Sequence, residues 1–210
     1  MAAGFGRRFG ADKRLHLLPR SFDLELPKNA PLRTVAETTV AKYSNVFDNV
    51  RVVVRPEDDE LRLKLDALDV DVVTAPQAHL GMGYSLAAGF AALDSTWAFV
   101  ALADMPFIKT ETLRLLYNTA QSNTRVGILR PSLSLDENTR DEDPREATNR
   151  SQAKTHPVGW HQHYFRALRL CKGDTGARTL LQTHAAQVRR VSVDDAGIQR
   201  DIDHLSDLKD

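Results

Sequence analysis

Cysteine and long apolar runs are both scarce in this sequence. Cys171 is the only cysteine among the 210 residues, so the chain cannot form an internal disulfide, as is typical of proteins in a reducing compartment. The longest apolar run, residues 97–103, is far shorter than the roughly 18 residues of a membrane span. We therefore expect a cytoplasmic protein that does not enter a membrane.

An excess of charge of either sign is also lacking. Lys and Arg together number 28, as do Asp and Glu, and the formal net charge is zero. The overall electrostatic attraction that brings proteins to nucleic acid or to an anionic membrane is therefore absent, and we expect neither partner. Any site for phosphate must be built from local charge.

What the sequence does contain is a regular alternation of two apolar patterns, one typical of strands and one typical of helices. Strands are predicted at residues 50–54, 70–73, 98–102, 126–129 and 188–193. Helices are predicted at residues 32–43, 58–65, 84–93, 110–119, 160–170 and 177–184. The alternation predicts an α/β fold, with a Rossmann-like, doubly wound and mostly parallel sheet covered by helices on both faces. The length suits a single domain over residues 1–210.

Residues 134–154 interrupt this alternation. They mix charges of both signs and contain almost no apolar side chains, so they cannot bury enough surface to offset the entropy of ordering them. We interpret them as a flexible surface insertion. Composition does not distinguish a disordered loop from a functional lid.

The first fourteen residues combine glycines with basic side chains. The glycines are Gly4, Gly6 and Gly10, and the basic residues are Arg7, Arg8, Lys13 and Arg14. Glycines let backbone N–H groups approach an anion closely, and four positive charges suit a triphosphate. The spacing is neither a Walker A loop nor a dinucleotide-binding fingerprint. From the residues alone, a disordered leader explains this composition equally well.

Asp104 follows directly on an apolar strand. The carboxyl ends of strands in open α/β sheets are where ligands bind, and a carboxylate oxygen there can hold Mg²⁺ between phosphates. The alternative is an ordinary strand-ending Asp before the turn at Pro106. Asp201 and Asp203 end an extended run, and a single carboxylate of this kind is more often a structural cap or surface charge than a functional group.

Three further segments contain small or ionisable residues at the ends of predicted elements. Gly81 and Ser85 flank a helix start that can admit a base or ribose, or that simply makes a tight turn. His156 stands beside Pro157 in a fixed turn. His161 and His163 lack the spacing of a closed zinc site, so we interpret them as solvated or hydrogen-bonded histidines.

Taken in order, these motifs resemble the molybdenum cofactor cytidylyltransferases and related MobA-like NTP transferases. The matching residues are 1–4, Arg8, Gly10, Lys13, 81–82, 85–86, 102–106, 156–158, 173–174, 176–178 and 201–203. The resemblance spans nearly the whole chain and implies the fold of the nucleotide-diphospho-sugar transferases. It also implies transfer of CMP from CTP to the phosphate of the molybdenum cofactor, with Mg²⁺ required and pyrophosphate released. A client molybdoenzyme or its maturation chaperone is a further partner that the resemblance implies.

The resemblance also implies a role for each matched residue. Arg8 and Lys13 would hold the triphosphate, and Asp104 would bind Mg²⁺ with Asp203 as a second carboxylate. The nucleotide-binding residues would be Ala2, Ala3, Gly4, Gly6, Gly10, Lys13, Gly81 and Ser85. His156, Asp174 and Arg178 would face the molybdenum cofactor.

Two positions depart from the family pattern. Relatives carry an apolar strand before the N-terminal motif, whereas Met1 stands at the first position of that motif here, and we expect an added apolar strand to stabilise the fold. Thr155 replaces the glycine that precedes the His-Pro pair.

Two alternatives to cytidylyl transfer stay open. One is a transferase of the same fold that uses GTP or another phosphate acceptor, although Ala3 favours the cytidylyl branch, since guanylyl enzymes tend to have glycine there. The other is a carrier of the molybdenum cofactor that has lost catalysis.

We predict that residues 134–154 are dispensable for nucleotide binding, because they offer almost no apolar surface that could dock. Replacing them with a short Gly-Ser linker should leave the Kd for CTP within about threefold of its original value. Isothermal titration calorimetry measures this, and a large loss of affinity would instead identify an ordered lid.

Overall fold

In the computed structural model, residues 1–4, 9–23, 25–122, 127–134 and 154–208 are described. Within them the strands are β1 Arg51–Val54, β2 Asp71–Thr74, β3 Trp97–Val100, β4 Ile128–Leu133, β5 Val158–His161 and β6 Val188–Val193. The α-helices are α1 Val35–Ser44, α2 Asp59–Leu65, α3 Met82–Phe90, α4 Thr110–Ser122, α5 Phe165–Arg169 and α6 Arg178–Thr183. Short 3-10 turns occur between them, including Lys13–Leu15. The predicted insertion at 134–154 lies outside the described residues except at its two ends.

The strands form two groups. β1 and β2 pair in parallel, and the other four lie in the order β3-β5-β4-β6. β5 runs antiparallel to both β3 and β4, while β4 and β6 are parallel. β3, β4 and β6 therefore all point the same way, and the prediction of a mostly parallel α/β sheet is confirmed.

Side chains alternate between the two faces along each strand, and helices cover both faces. On β1, Val52 and Val54 pack against α1 and α2, whereas Val53 lies in a separate cluster that includes Ala88 of α3. On β3, Trp97 and Phe99 pack with residues of α4, and the alternate residues face α3 and α5. This is the two-sided covering that the sequence predicted.

Local signals set where α1 begins. Thr34 accepts a hydrogen bond from the backbone N–H of Glu37, and Glu37 accepts one from the backbone N–H of Thr34. This capping box satisfies two helix N–H groups, so the helix starts at Val35 rather than at the predicted residue 32.

The predicted helix at 160–170 is wrong over its first half. Residues 158–161 form β5, a 3-10 turn covers Gln162–Tyr164, and the helix occupies only Phe165–Arg169. Trp160, Tyr164 and Leu168 recur every four residues and are all buried, which imitates a helical face. A four-residue strand leading into a short helix cannot be separated from one longer helix by apolar spacing.

No helix in the described part of the chain has both the length and the apolar character needed to cross a membrane.

An open groove of about 1010 Å³ separates β1 from β3. Residues from both strands line it, together with Tyr43 of α1 and Phe90 of α3. Met1 occupies only one end of the groove, where its amino group donates to the Ala101 carbonyl at 2.8 Å and its carbonyl accepts from the Ala103 N–H at 3.0 Å. Burial lowers the pKa of that amino group to about 6. Apolar and polar side chains both line the groove.

We predict that an added apolar segment of about five residues before Met1 stabilises the fold, because it can pair with both flanking strands and bury apolar side chains. The melting temperature should rise by about 5 °C or more. The matched control is a Gly-Ser extension of equal length, which should give no such rise. Equal melting temperatures for the two extensions would contradict the prediction.

Candidate nucleotide site

Three carboxylates meet at the carboxyl edge of the sheet. Asp104 follows β3, and its backbone carbonyl accepts a hydrogen bond from the Ile202 N–H at 2.9 Å. That bond places Asp201 and Asp203 beside Asp104, and one oxygen of each carboxylate lies within 4.8 Å of the others. Ile202 is fully buried between the two, which anchors the segment.

Lys13 reaches into this cluster from the N-terminal part of the chain. Its Nζ lies 2.7 Å from Asp104 Oδ2 and 3.0 Å from Asp203 Oδ1, and it donates to the Ile202 carbonyl at 2.6 Å. Burial alone would lower the pKa of Lys13, but its hydrogen bonds and charge interactions with Asp104 and Asp203 outweigh burial and raise it. The ammonium group is therefore held in its charged form.

Lys13 does not compensate all of the negative charge of the three carboxylates. Asp104 Oδ1 is buried and has no hydrogen-bond partner among the described residues. Burial and the charges of Asp203 and Asp104 raise the pKa of Asp201. An Asp104 oxygen without a partner among the described residues, beside mutually repelling carboxylates, forms a donor set that suits a hard divalent cation.

The predicted phosphate loop begins next to this cluster. Ala2 donates its N–H to the Val53 carbonyl at 2.9 Å, and Ala3 packs against Ala75 and Ala78. At Gly4 an added Cβ would meet nothing within 4 Å. The loop therefore leaves the sheet with its first residues buried and its glycine on open space.

The remaining glycines of this segment are only partly described. Gly10 has a φ of 78°, a left-handed conformation that favours glycine. Gly6 and Arg8 lie outside the described residues, so their predicted roles stay predictions.

Gly81 and Gly83 allow another backbone to pack against the start of α3. A Cβ at Gly81 would lie 2.4 Å from the Gly173 carbonyl carbon, and one at Gly83 would lie 2.6 Å from that of Lys172. The Gly83 N–H donates to the Gly173 carbonyl at 2.7 Å. The chain's own turn thus makes the close approach that we had expected from a base or ribose. Ser85 is buried, with 3% of its surface exposed.

The three residues expected on the acceptor side are spread around the site. His156 is half-buried with its Nδ1 3.5 Å from the Val100 carbonyl, and desolvation lowers its pKa to about 4. Asp174 lies at Gly81, where its Oδ1 would be 2.6 Å from an added Cβ. Arg178 begins α6 and makes no hydrogen bond or ion pair with the other predicted site residues that are described. The structure therefore brings together Lys13, Asp104 and Asp203, with His156 near them.

Sequence reasoning missed a second ionic cluster beside the first. Arg14 is buried and pairs with Asp12 and Asp58, while Arg55 also pairs with Asp58. Asp201 was noted in the sequence but was not assigned to the metal. The sequence signal that could have assigned it is its position two residues before Asp203. In extended backbone, two carboxylates on either side of a buried isoleucine face the same way.

Comparison with known proteins gives a family and a fold. The model of the MobA-like NTP transferase domain matches residues 1–189. Rv0371c of Mycobacterium tuberculosis H37Rv is 22% identical, with 98% of this chain and 91% of that one covered and a TM-score of 0.68. A further structure of it, with a TM-score of 0.64, is described as a complex with manganese.

Two other solved structures are also similar. A nucleotidyl transferase from Methanothermobacter is 22% identical, covering 98% of this chain and 90% of that one, with a TM-score of 0.68. A 4-diphosphocytidyl-2C-methyl-D-erythritol synthase from Anaerococcus prevotii is 18% identical, covering 84% and 83%, with a TM-score of 0.59. No curated protein matches the chain.

We predict that Gly83→Ala destabilises the protein. Alanine would favour helix α3 by about 0.5–1 kcal/mol, but its Cβ would collide with the Lys172 backbone, and overpacking of this kind costs about 1–3 kcal/mol. The free energy of unfolding from urea titration should therefore fall. Gly127→Ala is the control, because the nearest atom to its Cβ is 3.5 Å away; equal stability of the two variants would contradict the prediction.

Proposed function

Because the chain belongs to the MobA-like NTP transferase family and is therefore a nucleotidyltransferase, we propose that it transfers CMP from CTP to the phosphate of the molybdenum cofactor, releasing pyrophosphate. The observation that carries the proposal is the meeting of Lys13 with Asp104, Asp201 and Asp203 at the edge of the sheet, beside the Ala2–Gly4 loop. Charge for a triphosphate and ligands for its cation lie together there.

Asp104 is the principal ligand that we propose for Mg²⁺, with Asp203 and Asp201 beside it. The unpartnered Asp104 Oδ1 and the hard oxygen donor set support this assignment. The manganese complex of Rv0371c agrees with a divalent ion in a protein of this fold. When bound, Mg²⁺ would neutralise charge on the phosphates and on the departing pyrophosphate.

Positioning and charge neutralisation account for the reaction. An oxygen of the acceptor phosphate forms a bond with the α-phosphorus of CTP while the bond from that phosphorus to the α,β-bridging oxygen breaks. The attacking oxygen is already ionised, so no general base is required. Lys13, together with Arg8, would hold the triphosphate in line for the attack.

His156 would contribute a neutral hydrogen-bonding group on the acceptor side. Its pKa of about 4 means that the imidazole is uncharged near pH 7, so it would not act as a proton donor to the leaving group. Asp174 and Arg178 are the other acceptor-side residues in this proposal.

Cytosine is the base that the proposal favours. Ala3 is 5% exposed and packs against Val53, Ala75 and Ala78, so the loop holds a buried methyl group where guanylyl enzymes tend to have glycine. The name of the Anaerococcus prevotii neighbour, a diphosphocytidyl synthase, agrees with cytidylyl chemistry on this fold.

Pyrophosphate release tests the proposal directly. Purified protein with Mg²⁺ and molybdenum cofactor should release pyrophosphate with CTP and much less with GTP. A preference for GTP, or pyrophosphate release only with another phosphate acceptor, would contradict the proposal and identify a related transferase of the same fold. Tight binding of the cofactor without release from any nucleotide would identify a carrier that delivers it to a molybdoenzyme or a maturation chaperone.

Asp104→Asn should lower kcat by about 100-fold or more, because it removes the charge that holds the metal while preserving the volume of the side chain. Steady-state kinetics at saturating Mg²⁺ measures the effect, and circular dichroism checks folding. Asp66→Asn is the matched control, since Asp66 is exposed at the end of α2 and outside the site. A folded Asp104 variant with turnover near that of the control would remove Asp104 from the mechanism.

A further inference from the structure

A second ionic cluster lies behind the nucleotide loop and has no part in the chemistry described so far. Arg14 and Asp58 form its centre, with side chains that are 4% and 3% exposed. The Arg14 guanidinium donates through Nη1 to Asp58 Oδ2 at 2.7 Å and through Nη2 to Asp58 Oδ1 at 2.6 Å. This bidentate geometry fixes both the position and the plane of the guanidinium.

The cluster ties together three separate segments of the chain. Arg14 also donates to the carbonyl of Ala2, and through Nε to Asp12 Oδ1 at 2.8 Å. On the other side, Asp58 accepts from the Arg55 backbone N–H at 2.7 Å. The start of the nucleotide loop, the Lys13 turn and the end of β1 are therefore held to one another through a single guanidinium and a single carboxylate.

Stability alone does not explain such a cluster. Burial opposes ionisation of Asp58, yet Arg14 and Arg55 outweigh it and lower the pKa of that carboxyl, so the group is charged when buried. Taking both charges out of water costs much of what their attraction returns, and apolar residues often stabilise such a position as well or better. A role in setting geometry accounts for the arrangement better.

The cluster sets the orientation of two groups in the proposed site, the Lys13 side chain and the Ala3 N–H. Lys13 and Arg14 are adjacent and diverge: Lys13 reaches Asp104, while Arg14 reaches Asp58. In addition, a trans peptide directs its C=O and its N–H to opposite sides. Holding the Ala2 carbonyl on Arg14 thus directs the Ala3 N–H away from Arg14.

We propose that Arg14 and Asp58 are positioning residues for nucleotide binding, which orient Lys13 and the Ala2–Gly4 loop toward the triphosphate. This rests on the proposed function. Neither residue contacts the metal carboxylates in the described structure, whereas Lys13 does. The pair should therefore change the affinity for the nucleotide more strongly than the affinity for the divalent ion.

Two variants test the assignment. Asp58→Asn removes the charge that holds Arg14, and Arg14→Lys keeps the charge but loses the bidentate geometry. Each should raise the Kd and the KM for CTP about tenfold or more, while the Kd for Mn²⁺ alone, followed by electron paramagnetic resonance, changes by less than about threefold. Asp71→Asn is the matched control, because it breaks the exposed Arg51–Asp71 pair. CTP and Mn²⁺ binding are measured at a temperature well below the melting temperature of each variant.

The outcomes separate this assignment from the proposed function. A variant that melts earlier but binds CTP as tightly as wild type identifies a purely structural pair and overturns the assignment, as does an equal loss of Mn²⁺ binding. If Asp58→Asn does not fold, Arg14→Lys alone decides in the same way. Failure of the wild-type protein to bind CTP or GTP would overturn the proposed function, and the assignment with it.

Discussion

The divergence of two neighbouring basic side chains is the constraint on which the site depends. Lys13 and Arg14 stand on one short turn, which Asp12 caps by accepting a hydrogen bond from the Arg14 N–H at 3.0 Å. Lys13 is held by carboxylates after β3 and near the C-terminus, whereas Arg14 is held by Asp58 after β1. If Lys13 turned away, Asp104 would lose its ion pair, and if Arg14 turned away, the buried Asp58 would keep only Arg55. The loop, the sheet edge and the C-terminal segment are joined at this turn.

The two ionic clusters differ in how fully their charges are compensated, and this difference distinguishes their roles. Around Asp58, both carboxylate oxygens accept hydrogen bonds from arginines. Around Asp104, one buried oxygen lacks a partner among the described residues, and the pKa of Asp201 is raised by burial and by nearby carboxylates. The excess of negative charge around Asp104 agrees with the cation site that we propose there, and the compensated charges around Asp58 agree with the positioning role that we propose for that pair. Both arise in a chain whose formal net charge is zero, so the electrostatics of function here are local.

The direction of β5 brings His156 to the edge of the sheet where Asp104 lies. Residues that follow parallel strands lie at the carboxyl edge of the sheet, as Asp104 does after β3. β5 runs the opposite way, so the residues that precede it lie at that same edge. His156 therefore lies near Asp104, and the backbone N–H of His156 donates to the Ile198 carbonyl at 2.9 Å. One reversed strand thus supplies a side chain that a fully parallel sheet would have placed elsewhere.

The sequence by itself determined the elements whose signal is local. β6 occupies the predicted residues 188–193 and β1 begins one residue after its prediction, because alternation and apolar runs are properties of neighbouring residues. The ordered motifs likewise identified the family, and they included Lys13, Asp104 and Asp203, which the structure brings together. The assignment of Trp160 to a strand came only from the tertiary structure, because its spacing from Tyr164 and Leu168 fits a helix equally well. The tertiary structure also decided that Arg14 meets Asp58, 44 positions away. Local spacing carries no record of which distant carboxylate a basic side chain will meet, because that pairing exists only once the strands have assembled.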